Sequence, residues 1–237
     1  MFNAEKVVNE IIEDMRNYAN RRGIPGKAVI GISGGKDSSV VAALSVLAFG
    51  KENVIGVMMP NGEQSDINDS IEILNFLEIP LENRLTINIG DAYNGLTKEI
   101  KKGVDNINSL SKDEKKFDVC LGYTSNTPAR LRMTTLYGIS SIFGGIVMNT
   151  CNRSEDVLGY STFYGDSAGS YAPLSHLTVT EVRAIGTYLK LPKHLVMKTP
   201  SDGMVGSSDE DRLSLLLGIK DFTYERLDKK SEVIDRV

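Results

Sequence analysis

Two cysteines and two histidines in 237 residues leave little material for thiol, imidazole or metal-thiolate chemistry. Cys120 and Cys151 make no metal-ligand spacing. His176 and His194 share no motif spacing with each other or with a cysteine, so both read as structural, and no Ser-His-Asp or Cys-His arrangement is present. No apolar run is long enough to cross a bilayer. No secretory leader, internal repeat or low-complexity tract is found, so a reducing cytoplasm is the expected setting. Positive charge is not in excess either. Lys and Arg number 27 against 31 Asp and Glu, net -4, which argues against bulk electrostatic binding of nucleic acid and leaves room for a few placed cations around a small anion. What is present is ordinary for a globular chain, 41% hydrophobic and 24% charged. One α/β domain over residues 1–237, with a helical C-terminal end, is the simplest organisation.

The sequence is organised around Ser33-Gly34-Gly35-Lys36-Asp37-Ser38-Ser39. Before it stands Ala28-Val29-Ile30-Gly31-Ile32, a short apolar run of the kind buried in a parallel sheet, and after it the apolar stretch Val40 to Ala48. A strand, a glycine turn and a helix start therefore meet. Such a turn presents backbone N–H groups at the positive end of a helix, and paired glycines let a large anion approach the main chain. A phosphate is the natural guest. Lys36 adds a positive charge, Ser33, Ser38 and Ser39 add hydroxyls, and Asp37 places a carboxylate where magnesium bridging phosphates could be held. The stretch is not a Walker A loop, since Asp37 stands where Ser or Thr should follow Gly35-Lys36. A plain Gly-Ser turn is the bland alternative.

Elsewhere the pattern alternates. Asn3 to Arg22 repeats Val7, Val8, Ile11, Ile12, Met15 and Tyr18 at helical spacing. Strands are predicted at Val54–Met59, Arg84–Ile89 and Gly145–Asn149, and helices at Asp66–Leu77, from Thr127-Pro128 onward, and from the capping box Thr178-Val179-Thr180-Glu181 to about Lys190. This βαβ spacing predicts an open, mostly parallel sheet with helices on both faces, binding ligands beyond the C-terminal strand ends. The glycine loop, Pro60 to Gln64, and Asn149 to Glu155 all fall on that side. Residues Lys98 to Tyr123 show no evident period and read as a mobile connection or lid over 102–123, or else as a solvated surface loop. Arg130, in the first turn of the helix expected at Thr127, is disfavoured by the helix dipole unless an anion faces it; the plain reading is a surface arginine paired with a carboxylate. Glu155 and Asp166 are two carboxylates that could meet Asp37 around a cation.

With those residues laid out, Ser33-Gly34-Gly35-Lys36-Asp37-Ser38 resembles the SGGxDS loop of the ATP pyrophosphatase superfamily, an adenine nucleotide alpha-hydrolase-like, Rossmann-like three-layer fold. Three further stretches resemble ammonia-dependent NAD synthetases: Asn126 to Met133; Thr150 to Glu155 with Gly159 to Asp166; and Lys198 to Gly203 with Asp209-Glu210. The resemblance implies a two-step amidation of deamido-NAD, in which ATP adenylates the nicotinate carboxylate, pyrophosphate leaves, and ammonia displaces AMP. It implies that Ser33 to Ser39 hold pyrophosphate, that Asp37 and Glu155 hold Mg2+, and that Gln64, Thr150 and Ser201 contact ATP. It further implies that Arg130 contacts deamido-NAD, and that Asp166 stands near the reacting centre to orient or deprotonate ammonium. A homodimer with the dinucleotide site at the subunit interface is expected.

Three positions depart from the family pattern. Val179 and Phe163 stand where many members carry Lys, and Ser170 stands where an aspartate is usual; Phe163 and Ser170 therefore mark the acid-substrate side. The usual His- and Lys-bearing tail is missing, Leu213 to Lys220 intrudes before Tyr224, and no glutaminase domain is seen, so free ammonia or a separate ammonia source is implied. These departures leave open either a divergent subgroup that reads deamido-NAD differently or an amidating enzyme for another nicotinate nucleotide, such as nicotinate mononucleotide. A different ATP pyrophosphatase, such as a tRNA-thiolating enzyme, is disfavoured by two unpatterned cysteines. A non-catalytic nucleotide-binding relative is disfavoured by the retained carboxylates.

Overall fold

Strand β1 (Ala28–Gly31) splits its side chains between two cores, because successive residues of a strand point to opposite faces. Ala28 and Ile30 join the larger cluster, built with α1 (Ala4–Arg22) and α2 (Lys36–Phe49), whereas Val29 joins a second cluster on the other face. The computed structural model describes residues 2–64, 67–112, 116–198 and 208–227. Strands β2 (Val54–Met58), β3 (Arg84–Thr86) and β4 (Ile146–Val147) complete a sheet of order β3-β2-β1-β4, and every pairing is parallel. Ala28 lies opposite both Val54 and Ile146. The expected open parallel sheet with helices on both faces is what is found.

The order has a functional consequence. From β1 the chain steps to β2 and β3 on one side, then returns to place β4 on the other side of β1. The connections leaving β1 and β4 therefore diverge and open a crevice between them at the C-terminal edge. Helices α3 (Ile67–Phe76), α7 (Val179–Tyr188) and α8 (Lys193–Val196) cover the larger cluster, through Ile73, Leu74, Val182, Ile185, Leu195 and Val196. The opposite face is closed by Met133, Leu136 and Ile139 of α5 (Leu121–Phe143) against Val29, Ile55 and Val57. Among the described residues no helix is long and apolar enough to cross a membrane.

Two helices correct the expectations from sequence. Helix α4 (Gly90–Leu110) occupies much of the stretch that showed no period, and α5 already begins at Leu121, so only 111–120 lies between them. The period exists when the window opens earlier: Leu96, Ile100, Val104 and Ile107 recur at three- and four-residue steps. It escapes a burial-based reading because no α4 side chain is buried. The second correction concerns α5, which does not start at Thr127-Pro128. Pro128 lies inside the helix, where it removes one backbone donor without ending it. Thr124 Oγ1 and Ser125 Oγ both donate to the Leu121 carbonyl in the turn ahead. Arg130 is thus well inside α5, and the dipole argument for an anion beside it does not hold.

Candidate active site

The glycine loop is fixed from beneath. Gly34 has φ +75, and a Cβ there would come within 2.5 Å of Asp69 Cβ and 2.9 Å of the Ser70 nitrogen, so close packing of α3 and the left-handed backbone both require glycine. Ser70 Oγ donates to the Ile32 carbonyl at 3.0 Å, tying α3 to the end of β1. Lys198 Nζ donates to Asp69 at 2.7 Å, which holds the chain after α8 against the same helix. Ser201 lies outside the described residues.

Within the loop, the hydroxyls brace the main chain. Ser39 Oγ and Ser38 Oγ donate to the Gly35 carbonyl at 2.7 and 3.2 Å, and Ser33 Oγ accepts from Gly35 N–H at 3.3 Å. Gly35 is the N-cap of α2 and offers no side-chain cap, so the N-terminus of a fourteen-residue helix opens toward the crevice.

Lys36 does not reach into solvent. Its side chain is 3% exposed, and Nζ sits 2.7 Å from Asp37 Oδ2. Burial depresses its ammonium, but the carboxylates of Asp37 and Glu155 outweigh that and hold its pKa above the ordinary lysine value.

Across the crevice, α6 (Arg153–Leu158) starts just after β4 with a capping box: Asn152 Oδ1 accepts from Glu155 N–H, and Glu155 Oε2 accepts from Asn152 N–H at 3.0 Å. Asn152 also donates from Nδ2 to Asp37 Oδ1 at 3.1 Å. One fully buried asparagine therefore joins the carboxylate of the β1 loop to the carboxylate after β4. It was not singled out from the sequence, although Asn-x-x-Glu spells the box. Glu155 is pushed up to about 8, by burial first and then by the Asp37 charge, with Lys36 opposing.

Two carboxyl groups and one buried ammonium make an oxygen-rich cluster in which burial keeps a proton on Glu155 that a bound cation would displace. Hard oxygen donors with a helix N-terminus alongside fit Mg2+, which binds through one or two carboxylates plus substrate phosphates. Asp37 and Glu155 are the residues that would hold it.

The third element is the turn Thr162 to Asp166. Asp166 Oδ1 accepts from Thr162 N–H at 2.6 Å, and Tyr164 is held at φ 62, an uncommon conformation for a non-glycine residue. The turn is fastened to β4 and α5. Asn149 Nδ2 donates to the carbonyls of Asp166 and Ala168, Arg130 Nε donates to the Phe163 carbonyl at 3.1 Å, and Thr162 Oγ1 donates to Asn126 Oδ1. Phe163 and Asp166 are exposed. Arg132, not singled out from sequence, donates from Nε to the Met59 carbonyl at the end of β2; burial lowers its pKa and the Asp166 charge opposes that. Cys151 donates to the Asp166 carbonyl, and burial raises its thiol, which removes it as a nucleophile.

Thr150 lies half-buried at the release of β4, and Gln64 half-buried after β2. Ser170 pairs through its backbone with Val147 and accepts Tyr18 Oη at 2.7 Å, which ties it to α1. Val179 is fully buried in a third apolar cluster with Leu213, Phe222 and Tyr224, so the segment around α9 (Asp209–Leu217) packs on the position where a lysine was expected.

Comparison with known proteins agrees with this architecture. An NMN synthetase from Francisella tularensis superposes with a TM-score of 0.82 at 28% identity, covering 98% of this chain and 87% of that one. An ammonia-dependent NAD synthetase from Campylobacter jejuni gives 0.66 at 26% identity, covering 92% and 85%. In sequence, the NH(3)-dependent NAD(+) synthetase of Pyrococcus furiosus is 36% identical over 228 residues, 95% of this chain and 79% of the relative. Residues 7–236 match the NAD synthase family model, and with the glycine loop, its aspartate and the carboxylate after β4 in place, the chain belongs to the NAD synthase family.

Proposed function

We propose that this protein amidates deamido-NAD with ammonia at the expense of ATP, a ligase reaction passing through an acyl-adenylate. The observation that carries this reading is the Asp37–Asn152–Glu155 link across the crevice, beside a helix N-terminus opened by Gly34-Gly35. In the first step an oxygen of the nicotinate carboxylate attacks the α-phosphorus of ATP, and the bond to the departing pyrophosphate breaks. In the second, the ammonia nitrogen attacks the acyl carbon, loses a proton and expels AMP. The loop from Ser33 to Ser39 receives the pyrophosphate on backbone N–H groups whose positions its own serines already fix. Mg2+, when bound, neutralises phosphate charge during the first step. Gln64, Thr150 and Ser201 complete the ATP contacts; Arg130, with the Phe163 turn, borders the acid substrate. Asp166 takes the ammonium proton, its Oδ1 steadied by Thr162 N–H.

The test is incubation with ATP, Mg2+, ammonium and deamido-NAD, following AMP and the amide. Stoichiometric AMP and NAD are expected; hydrolysis of ATP without amide would refute the reading. A second reading, amidation of nicotinate mononucleotide, is favoured by the likeness to the Francisella NMN synthetase. The same assay with that mononucleotide decides it by the ratio of kcat/KM values.

We further propose a cytoplasmic homodimer. Leu110, Phe117 and Leu121, large apolar side chains around the connection from α4 to α5, are 78, 60 and 76% exposed, surface that a second subunit could cover. The free thiols of Cys120 and Cys151 fit a reducing compartment. Sedimentation should give twice the 25.9 kDa chain mass, and an active species at the single mass would exclude the dimer.

A further inference from the structure

Helix α7 brings a second cation toward the loop. Gly186 packs against α2, where a Cβ would stand 3.3 Å from Val40 Cγ2. From that contact, one turn back along each helix leads to Arg183 on α7 and Lys36 on α2. The N-termini of both helices meet the α6 region: Val179 N–H donates to Ser154 Oγ at 3.1 Å, and Asn152 holds Asp37. The positive charge of Arg183 is felt at Lys36, where it opposes protonation.

What sets Arg183 apart is that its Nε is buried with no hydrogen-bond partner. Among the described residues no carboxylate lies within ion-pair distance of its guanidinium either. It is also the one cation of α7. The side chain is half-buried, so its guanidinium lies near the protein surface with one buried donor, Nε, left unmet, a cost that an incoming acceptor would remove. Lys36 has Asp37 as counter-ion, but Arg183 has none among the described residues.

An anion placed over the N-terminus of α2 would satisfy it. We propose that Arg183 binds the polyphosphate of ATP, its planar fork taking the oxygens at the end remote from adenosine. The inference rests on the ATP-dependent reading above and adds a contact that neither the glycine loop nor the two metal-binding carboxylates supply.

The experiment compares wild type, Arg183→Met and Arg183→Lys as full chains. It reads the thermal midpoint of the free protein, the rise in midpoint on adding inorganic pyrophosphate with Mg2+, and separate KM values for ATP and deamido-NAD. Arg183→Met should melt no lower than wild type, since methionine removes an unpartnered buried group. Its KM for ATP should rise about 10- to 100-fold while that for deamido-NAD stays within about twofold, and pyrophosphate should no longer stabilise it. Arg183→Lys should recover part of the pyrophosphate response. A lower midpoint or failure to fold in Arg183→Met, or an unchanged KM for ATP in that variant, would overturn the proposal and assign Arg183 a packing role. The two readings fail separately. Wild type without AMP release but with an Arg183-dependent pyrophosphate response refutes the amidation alone; normal turnover with an unchanged ATP KM refutes Arg183 alone.

Discussion

Asp37→Asn is expected to lower AMP release by about a thousandfold or more, because one carboxylate both offers a metal ligand and positions its neighbours. Oδ2 holds Lys36 and Oδ1 holds Asn152, which in turn fixes Glu155. Asparagine keeps the shape but loses the charge, so the pair that would share Mg2+ is reduced to Glu155. Asp37→Ala goes further. It leaves Lys36, 3% exposed, without its nearest counter-ion, and breaking such a buried pair costs about 3–5 kcal/mol. The alanine variant should therefore lose stability as well as activity, and Lys36→Met in the same chain should restore the thermal midpoint without restoring AMP release. That separation is the check. If Asp37→Asn turned over ATP at the wild-type rate, Asp37 would be a structural counter-ion only and the metal assignment would fall.

The parts of the site that were legible in the sequence are those whose local chemistry is self-sufficient. The loop after β1 could be placed because an apolar run, two glycines and a helix-forming run adjoin. Gly34 needs its left-handed backbone whatever the rest of the chain does, and the close approach of α3 only adds to that. The capping box at Thr178 was legible for the same reason. Arg130 was misplaced because a proline after threonine has the form of a helix start, yet the turn before it, from Leu121, has enough of its own hydrogen bonds to extend the helix through Pro128. Helix α4 was missed because a window that starts at Lys98 leaves out the first turns of its apolar stripe, and among the described residues none of its side chains is buried to mark a core face. Asn152 and Arg183 needed tertiary information. Asn152 matters through a hydrogen bond to a residue 115 positions away, and Arg183 through the lack of any bond to its buried Nε. Neither property belongs to a local pattern.

The pH dependence of stability should report on Glu155. Its carboxyl has a pKa of about 8 in the folded protein against an ordinary 4.5, raised by burial and then by Asp37. Between those values the folded state holds a proton that the unfolded state has released, so stability falls as pH rises through that window. Below about 4.5 both states are protonated and the stabilising difference is whole; above about 8 it is gone. Glu155→Gln keeps an oxygen to accept the Asn152 N–H in the capping box but removes the charge. In EDTA, its thermal midpoint should therefore change much less than that of wild type between about pH 5 and 8.5 and should exceed it at the upper end. Part of the slope will remain, because burial also raises Asp156. Lys36 and Asp37 face the same carboxyl, so the wild-type midpoint belongs to the cluster rather than to one residue. Adding Mg2+ and ATP at about pH 8 should stabilise wild type, which then has a use for both negative charges, and leave the glutamine variant nearly unmoved, with kcat/KM for ATP lower by about a hundredfold or more. Parallel pH curves for the two proteins in EDTA, or equal stabilisation by Mg2+ and ATP, would remove Glu155 from the metal site and leave the crevice with Asp37 as its lone acidic ligand.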